Sequence, residues 1–470
     1  MGLVPQLAER AGACADRLRR AESVLLVSHI DADGLTSAAI AATALERAGI
    51  VFDVVFEDQL DEAAIERIAA MDVDTVLFTD FGSGQLEAIE AQEAAGALTP
   101  VIVDHHQPAD TDTRFHCNPL LEGLDGASEL SGAGAAYLVA RALDDGTDNR
   151  DLAALAVVGA VGDMQAVGGE LVGANHDIVV EGVEAGVVTE STDLSFYGTQ
   201  TRPLPKLLEY GSEVQIPGIT NDQAGATAFL RKLDVDLTGT GEGDWRRWVD
   251  LADDERQRVA SALVRRAIER GVPAGEVEDI VATTYTLPRE PVGTELRDAS
   301  EFATLLNATA RYDRADVGLA VCLGDRNDAL DRARTLLRTH RRNLSEGLEW
   351  VRDRGVEQAD HLQYFDAGAA IRETIVGIVA GMALGVDGVN GRRPIFAFAA
   401  KSETETKVSG RGTGRLVDGG LDLSAVMTQA ARAVGGEGGG HDVAAGATIP
   451  AGRETEFVDH ADRIVGEQLS

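Results

Sequence analysis

His29, Asp31 and Asp33 stand at alternate positions in the stretch Val24-Leu-Leu-Val-Ser-His-Ile-Asp-Ala-Asp-Gly34, directly after an apolar run that reads as a buried strand. An extended segment alternates its side chains, so these three can converge on one side. One imidazole and two carboxylates at the tip of a buried strand make poor core but good ligands for a divalent cation. The same chemistry recurs three times. Thr75-Val-Leu-Phe-Thr-Asp80 ends in an aspartate, Val101-Ile-Val-Asp-His-His106 in an aspartate and two histidines, and the apolar run from Leu155 to Gly162 in Asp163. Any one of these alone reads more simply as a helix cap or a turn residue. Together, His29, Asp31, Asp33, Asp80, Asp104, His105, His106 and Asp163 hold too much negative charge to coexist without cations. The carboxyl edge of an open α/β sheet is where ligands are held.

Read in order, the motifs His-Ile-Asp-Ala-Asp-Gly, Phe-Thr-Asp-Phe-Gly, Val-Asp-His-His and Gly-Ala-Val-Gly-Asp resemble the DHH phosphoesterase superfamily. Near the C-terminus, Gly438-Gly-Gly-His-Asp-Val-Ala-Ala-Gly446 resembles the companion DHHA1 signature. More narrowly, Phe196–Leu204 and Leu296–Asn307 resemble segments of archaeal RecJ-like exonucleases specific for single strands. The resemblance implies a two-metal phosphodiesterase. His29, Asp31 and Asp80 would hold one ion, and Asp33, Asp80, His105 and Asp163 the other, with Asp80 bridging. Asp104 would orient His105 from behind, and His106 would face the substrate phosphate. Mixed imidazole and carboxylate ligands favour Mn²⁺ over Mg²⁺.

The run Gly435-Gly-Glu-Gly-Gly-Gly-His441 reads by itself as a hinge. Glycines also let backbone N–H groups turn toward one point and form an anion nest. The adjacent His441 and the upstream Ser409-Gly-Arg-Gly-Thr413 favour the nest. By resemblance, Arg411, Gly439, Gly440 and His441 would grip the substrate strand across a cleft from the metals.

The expected partner is single-stranded DNA or RNA, DNA favoured. Two rivals stand beside the exonuclease: a small-substrate phosphoesterase, and a replicative scaffold that keeps the fold without catalysis. The resemblance also implies that the insertion contacts a GINS-type replication complex.

Composition bounds the remaining choices. A net charge of −36 over 470 residues argues at first against a nucleic-acid partner. Only four lysines (Lys206, Lys232, Lys401, Lys407) accompany 38 arginines, and the acidic residues are dispersed. That pattern resembles adaptation to a high-salt cytoplasm, as in a haloarchaeal protein. Cys14, Cys117 and Cys322 are far apart and odd in number, which suggests a reducing compartment without a disulfide framework. No stretch approaches 18 uninterrupted apolar residues. The expectation is a soluble, cytoplasmic protein with no membrane partner.

The elements that must position these residues follow from the hydrophobic pattern. Helices at 3–22, 35–48, 61–71 and 85–95 alternate with strands at 24–27, 51–56, 75–79 and 100–103, which predicts a parallel, doubly wound sheet. Helices follow at 131–143, with Ser131 as N-cap, and at 151–161. This DHH domain is expected to span 1–190. A proline-broken, mainly helical insertion spans 191–290, with helices at 222–233 and 245–270. A smaller α/β DHHA1 domain spans 291–470. In it, 301–311 and 330–352 are helical, 318–323, 394–400 and 406–409 are strand-like, and helices close the chain at 424–434 and 457–468. Arg332, Arg334, Arg338, Arg341 and Arg342 form either ion pairs along their helix or a contact for phosphates. Self-repulsion of this acidic chain should weaken the compact state at low ionic strength, where the Debye length reaches roughly 30 Å at 0.01 M. Thermal stability is therefore expected to rise toward molar KCl, and a melting temperature highest in dilute buffer would contradict the salt-adapted reading.

Overall fold

The computed structural model describes residues 3–71, 73–111, 113–144, 146–211, 213–239, 245–386 and 388–469. The chain divides into two compact units, Met1–Arg334 and Thr335–Ser470.

Five parallel strands organise the first unit: β1 (Val24–His29), β2 (Phe52–Glu57), β3 (Thr75–Thr79), β4 (Thr99–Val103) and β5 (His116–Cys117). Their order is β2-β1-β3-β4-β5. Between β1 and β3 the winding reverses, and an open sheet holds ligands at that switch point. β1 and β3 are apolar on both faces and almost wholly buried, as central parallel strands must be. One face packs on α3 (Glu62–Ala69) and α4 (Leu86–Ala94) through Ile65, Ile68, Phe78, Ile89 and Ile102. α5 (Gly132–Leu143) packs on both α1 (Ala8–Leu18) and α2 (Ala32–Arg47), and all three pack against strands of the same sheet. Next come α6 (Ala153–Gly162), which packs on α2 and α5, and α7 (Gly173–Glu184).

The insertion is closed at its base by an antiparallel pair, β6 (Thr189–Leu194) and β7 (Val281–Thr286). Between these lie α8 (Leu204–Glu209), α9 (Gln223–Lys232), α10 (Asp253–Glu269) and α11 (Ala274–Glu278). The segment is mainly helical, as its pattern indicated, but it is not merely solvated. It has a core of its own, including Phe196, Leu207, Leu230, Trp248, Leu263 and Ile280. The helix expected from 245 starts only at Asp253, because Trp248 leaves solvent in a short 3₁₀ turn and donates through Nε1 to Asp193 at 3.0 Å.

Residues beyond 290 differ from expectation in two ways. α12 (Ala299–Ala310) and α13 (Ala315–Cys322) pack on α2, and α12 also on α6, so this stretch belongs to the first unit rather than to the C-terminal module. Residues 318–322 of the stretch read as a strand are also helical. Gly318 lies so close to α2 that a Cβ there would stand 2.6 Å from Leu35 Cδ1, and that helix contact outweighs a short apolar run readable either way. The long α14 (Asp328–Arg354) carries the arginine cluster, where Arg334 pairs with Glu295 and Arg342 stands 3.8 Å from Glu346.

The second unit is built on a mixed six-stranded sheet of order β12-β13-β11-β10-β9-β8. Its strands are β8 (Glu357–Gln358), β9 (Gln363–Asp366), β10 (Ile395–Ala400), β11 (Glu405–Arg411), β12 (Glu437–Gly440) and β13 (Ala444–Pro450), with only β9 and β10 parallel. Alternation along β10 divides the core. Ile395, Ala397 and Ala399 meet α15 (Glu373–Ala383), while Phe396 and Phe398 meet α17 (Leu423–Ala433) and α18 (Glu454–Gln468). The short α16 (Gly414–Asp418) follows β11.

α12 also anchors the insertion. Buried Glu301 accepts from Gln200 N at 2.8 Å and from the Thr201 hydroxyl. Burial, with the charge of Asp298, pushes its carboxyl from 4.5 to about 7. A carboxyl whose pKa rises on folding penalises the folded state as pH climbs from the unfolded to the folded value. Replacing Glu301 with Gln is thus expected to flatten the loss of stability between about pH 4.5 and 7, leaving the variant more stable at pH 8 by up to about 3 kcal/mol. Denaturation at pH 5 and pH 8 measures this, and an equal difference between the two proteins at both values would exclude it.

Candidate metal centre

The switch point gathers all eight acidic and imidazole residues singled out from the sequence. His29 ends β1 and Asp31 follows it, Asp80 follows β3, Asp104 to His106 follow β4, and Asp163 caps the end of α6. Asp31 caps α2 and accepts from Gly34 N at 3.0 Å. Asp33, in the first turn of α2, is buried and accepts from Gly132 N at 2.7 Å and Ala133 N at 3.0 Å, the free amides of α5. The positive ends of two helices thus point into a concentration of carboxylates.

Around Asp80 the side chains form overlapping groups. His29 Nδ1 lies 3.3 Å from Asp31 Oδ1 and 3.5 Å from Asp80 Oδ2. His105 Nε2 lies 3.3 Å from Asp80 Oδ1, 3.7 Å from Asp163 Oδ2 and 3.8 Å from Asp33 Oδ2. These distances are long for hydrogen bonds. They suit atoms sharing a cation, since ligands about 2.1 Å from an ion and at right angles stand about 3 Å apart. Asp80 Oδ1 is buried and accepts no well-formed hydrogen bond, and Asp80 itself adopts φ 63°, an uncommon backbone state for a residue other than glycine. Three sets can each bring one ligand atom per residue within 4.8 Å of the others: His29, Asp31 and Asp80; Asp33, His105 and Asp163; and Asp80, Asp104, His105 and His106. An unpaired buried carboxylate oxygen amid imidazole and carboxylate donors fits a divalent metal.

The electrostatics agree. Burial opposes charge on His29, but Asp31 and Asp80 raise it to about 11. His105 is raised against burial by Asp80, Asp33 and Asp163. Burial also opposes ionisation of Asp80, yet His105 and His29 hold it well below the carboxylate range. Asp33 is pushed up by burial and by Asp80 and Asp163. Without a cation, then, protons on the imidazoles take its place.

A second layer, absent from the sequence reading, holds the ligands. His105 Nδ1 lies 2.6 Å from the Gly126 carbonyl, an acceptor only, so Nδ1 carries the proton and Nε2 faces the carboxylates. Buried Gln165 donates to Asp163 Oδ2 and to Gly126 O, both at 2.8 Å, and accepts from Asn175 Nδ2 at 2.7 Å. The expectation that Asp104 orients His105 needs correction. Its Oδ1 accepts from His106 Nδ1 at 2.8 Å, while His105 offers it only its backbone N, at 2.7 Å. Burial opposes ionisation of Asp104, but the His106 bond brings it down to about 2 and raises His106 in return. Ser83 N donates to Asp104 Oδ2 at 2.9 Å, and Asn118 holds the His106 carbonyl at 2.8 Å. Gly132 has a reason that pattern could not show: a Cβ there would lie 2.5 Å from Asp80 Oδ1 and 2.9 Å from Asp33 Oδ2.

In the second unit, Arg411 and His441 come to one end of the sheet. Arg411, the last residue of β11, pairs with Ala444 of β13, Gly440 of β12 pairs with Ala445, and His441 N donates to Ala444 O at 2.9 Å in the turn between β12 and β13. Arg411 spans Gly377 of α15, where a Cβ would stand 2.5 Å from its Nη2. Most of the glycine run forms a strand rather than a hinge. Gly439 and Gly440 lie in the edge strand β12, and Gly438 is pressed so closely on α17 that a Cβ would lie 2.7 Å from Met427 O.

The DHH family, N-terminal domain, matches residues 23–160, the DHH-CID domain 196–281 and the DHHA1 domain 361–467. Matched in this order, the three domains support a place in the DHH/DHHA1 superfamily. An uncharacterised protein of Methanocaldococcus jannaschii is 29% identical over 454 residues, covering 95% of this chain and 94% of that one. The structure of RecJ in complex with Mn²⁺ from Thermus thermophilus has a TM-score of 0.61 at 18% identity, covering 99% of this chain, which spans only 55% of that protein. CDC45 from Entamoeba histolytica has a TM-score of 0.64 at 12% identity, covering 98% and 97%. At such identities the likeness is one of fold. Among the described residues no helix is long and apolar enough to cross a membrane.

Because the imidazoles hold protons that a metal must displace, Mn²⁺ uptake at pH 7 is expected to release protons, and apparent affinity to rise with pH. Titration calorimetry in buffers of different ionisation enthalpy measures this. A binding heat independent of the buffer would contradict it.

Proposed function

We propose that the chain is a metal-dependent phosphodiesterase, a RecJ-like exonuclease on single-stranded nucleic acid, DNA favoured, working in replication or repair. The observation that carries this reading is Asp80, whose two buried oxygens face two different ligand groups. His29, Asp31 and Asp80 would hold one ion and Asp33, Asp80, His105 and Asp163 a second, with Mn²⁺ favoured over Mg²⁺. Two such ions supply charge neutralisation at the phosphate and a water acidic enough to attack near pH 7. The protein's own part is to hold that arrangement still. Gly126 and Gln165 fix the direction of His105 and Asp163, and the amides of α5 fix Asp33. Asp104 binds Nδ1 of His106, so Nε2 of this half-exposed ring is left for the substrate, where a proton favoured by Asp104 can meet charge developing on a phosphate oxygen.

Arg411, Gly439, Gly440 and His441 are the proposed grip on the strand, and the self-contained core of the insertion supports its use as a docking module for a GINS-type complex. The dispersed acid with four lysines supports a haloarchaeal, cytoplasmic setting. The proposed domain division keeps the DHH domain and the insertion, with residues up to 334 assigned to the first unit. CDC45-like folding is compatible with a silent scaffold, but the complete ligand set favours catalysis.

In high KCl with Mn²⁺, the protein is expected to release nucleotides from a labelled single strand, and Asp80→Asn to lose several orders of magnitude. No release with either metal by a folded protein would leave the scaffold. His441→Ala and Arg411→Ala are expected to lower activity on long strands by roughly tenfold to a hundredfold, from lost charged contacts of about 1.5–3 kcal/mol each, and to cost less on a dinucleotide. Equal losses on both substrates would favour the small-substrate phosphoesterase.

A further inference from the structure

We propose that Asn307, on α12, is a positioning residue for the metal centre, holding the loop that presents Asp31 and Asp33. The inference rests on the metal reading of the acidic cluster. Asn307 Oδ1 accepts a 2.9 Å hydrogen bond from the backbone N of Ala32, the residue between those two aspartates and 275 positions away in the chain. Ala32 opens α2, and its amide is one of those a helix start leaves without an internal partner. The capping carboxylate of Asp31 is engaged with Gly34 N and does not serve it. At most helix starts water takes such an amide. Here a side chain takes it from an element that contributes no ligand of its own.

The consequence is geometric. The peptide joining Asp31 to Ala32 sets the direction in which Asp31 leaves the backbone, and one residue later that of Asp33. Asn307 fixes this peptide from outside, while Asp33 is fixed from within by the α5 amides. There is little slack around the bond. A Cβ on Gly162 would stand 2.8 Å from Ala32 Cβ and 3.1 Å from Ala303 Cβ, so α6, α12 and the loop meet where Gly162 precedes Asp163. α12 therefore abuts both backbone segments that deliver Asp31, Asp33 and Asp163. Among the described residues this is the one hydrogen bond of the Asn307 side chain, so its acceptor oxygen has no other structural duty.

Two substitutions separate positioning from simple stabilisation. Asn307→Leu keeps the size and removes the acceptor, whereas Asn307→Asp keeps an acceptor oxygen. Mn²⁺ is titrated into metal-free protein and free Mn²⁺ followed by electron paramagnetic resonance, with melting in chelator measured alongside. Asn307→Leu is expected to weaken Mn²⁺ binding by about tenfold to a hundredfold, as loss of a ligand's support does, with little change in the metal-free melting temperature. Asn307→Asp is expected to recover most of the affinity. Wild-type affinity in Asn307→Leu would overturn the role of Asn307 alone. So would equal weakening in both variants, or a weakening matched by a fall in the metal-free melting temperature. Wild-type protein that takes up no Mn²⁺, or takes it up as well with Asp80→Asn, would instead overturn the metal reading beneath it.

Discussion

Mutual repulsion among Asp31, Asp33, Asp80 and Asp163 is the constraint on which the rest of the first unit depends. Buried carboxylates this close are costly unless something positive is shared among them. The fold supplies part of it through the free amides of α5 on Asp33, the N-terminus of α2 and two imidazoles. Each contribution is directional, and together they leave Asp80 Oδ1 without a bond in the middle of the cluster. Deformation elsewhere is tolerated in order to keep that oxygen there. Asp80 takes a left-handed backbone, and Gly132 gives up its side chain so that α5 can come close.

That constraint explains why so much of the unit is small and tightly packed. α2, α5 and α6 are rich in alanine and glycine because their backbones must approach a common point. A Cβ on Gly159 would stand 2.5 Å from Asp33 Oδ1, just as one on Gly132 would crowd Asp80. α12 and α13 close the same bundle from the far side of the insertion in the chain, which makes the first unit continuous around 191–290. The insertion can carry its own core because β6 and β7 bring its ends together, so it interrupts the sequence of the unit without interrupting its packing.

The second unit uses small residues differently. Its sheet is divided by alternation along β10, aromatic toward α17 and α18 and mostly small toward α15. The glycines of β12 let an edge strand lie against α17 with its backbone paired to β13. The same sheet ends bring Arg411, Gly440 and His441 together, so a glycine run that reads by itself as a hinge is held by a ladder.

Much was legible in the residues themselves. The apolar run before them marks His29, Asp31 and Asp33 as one group, although α2 begins at Ala32 and delivers Asp33 from a helix turn and not from an extended strand; β–α alternation with short links leaves few topologies but the doubly wound one. Ser131 announced the start of α5 for the same local reason. What stayed hidden is whatever depends on a partner distant in sequence. Which imidazole Asp104 holds was settled by the turn after β4, where two backbone amides and one ring converge on a single carboxylate. Whether 318–323 is strand or helix was settled by Leu35 pressing on Gly318. Gln165, Asn175 and Asn307 are ordinary polar residues by any local pattern, and only the packing that buries or aims their amides gives them a role. Ligand chemistry is a property of side chains and can be read from their order. Support is a property of distances, and those exist only once the chain has closed.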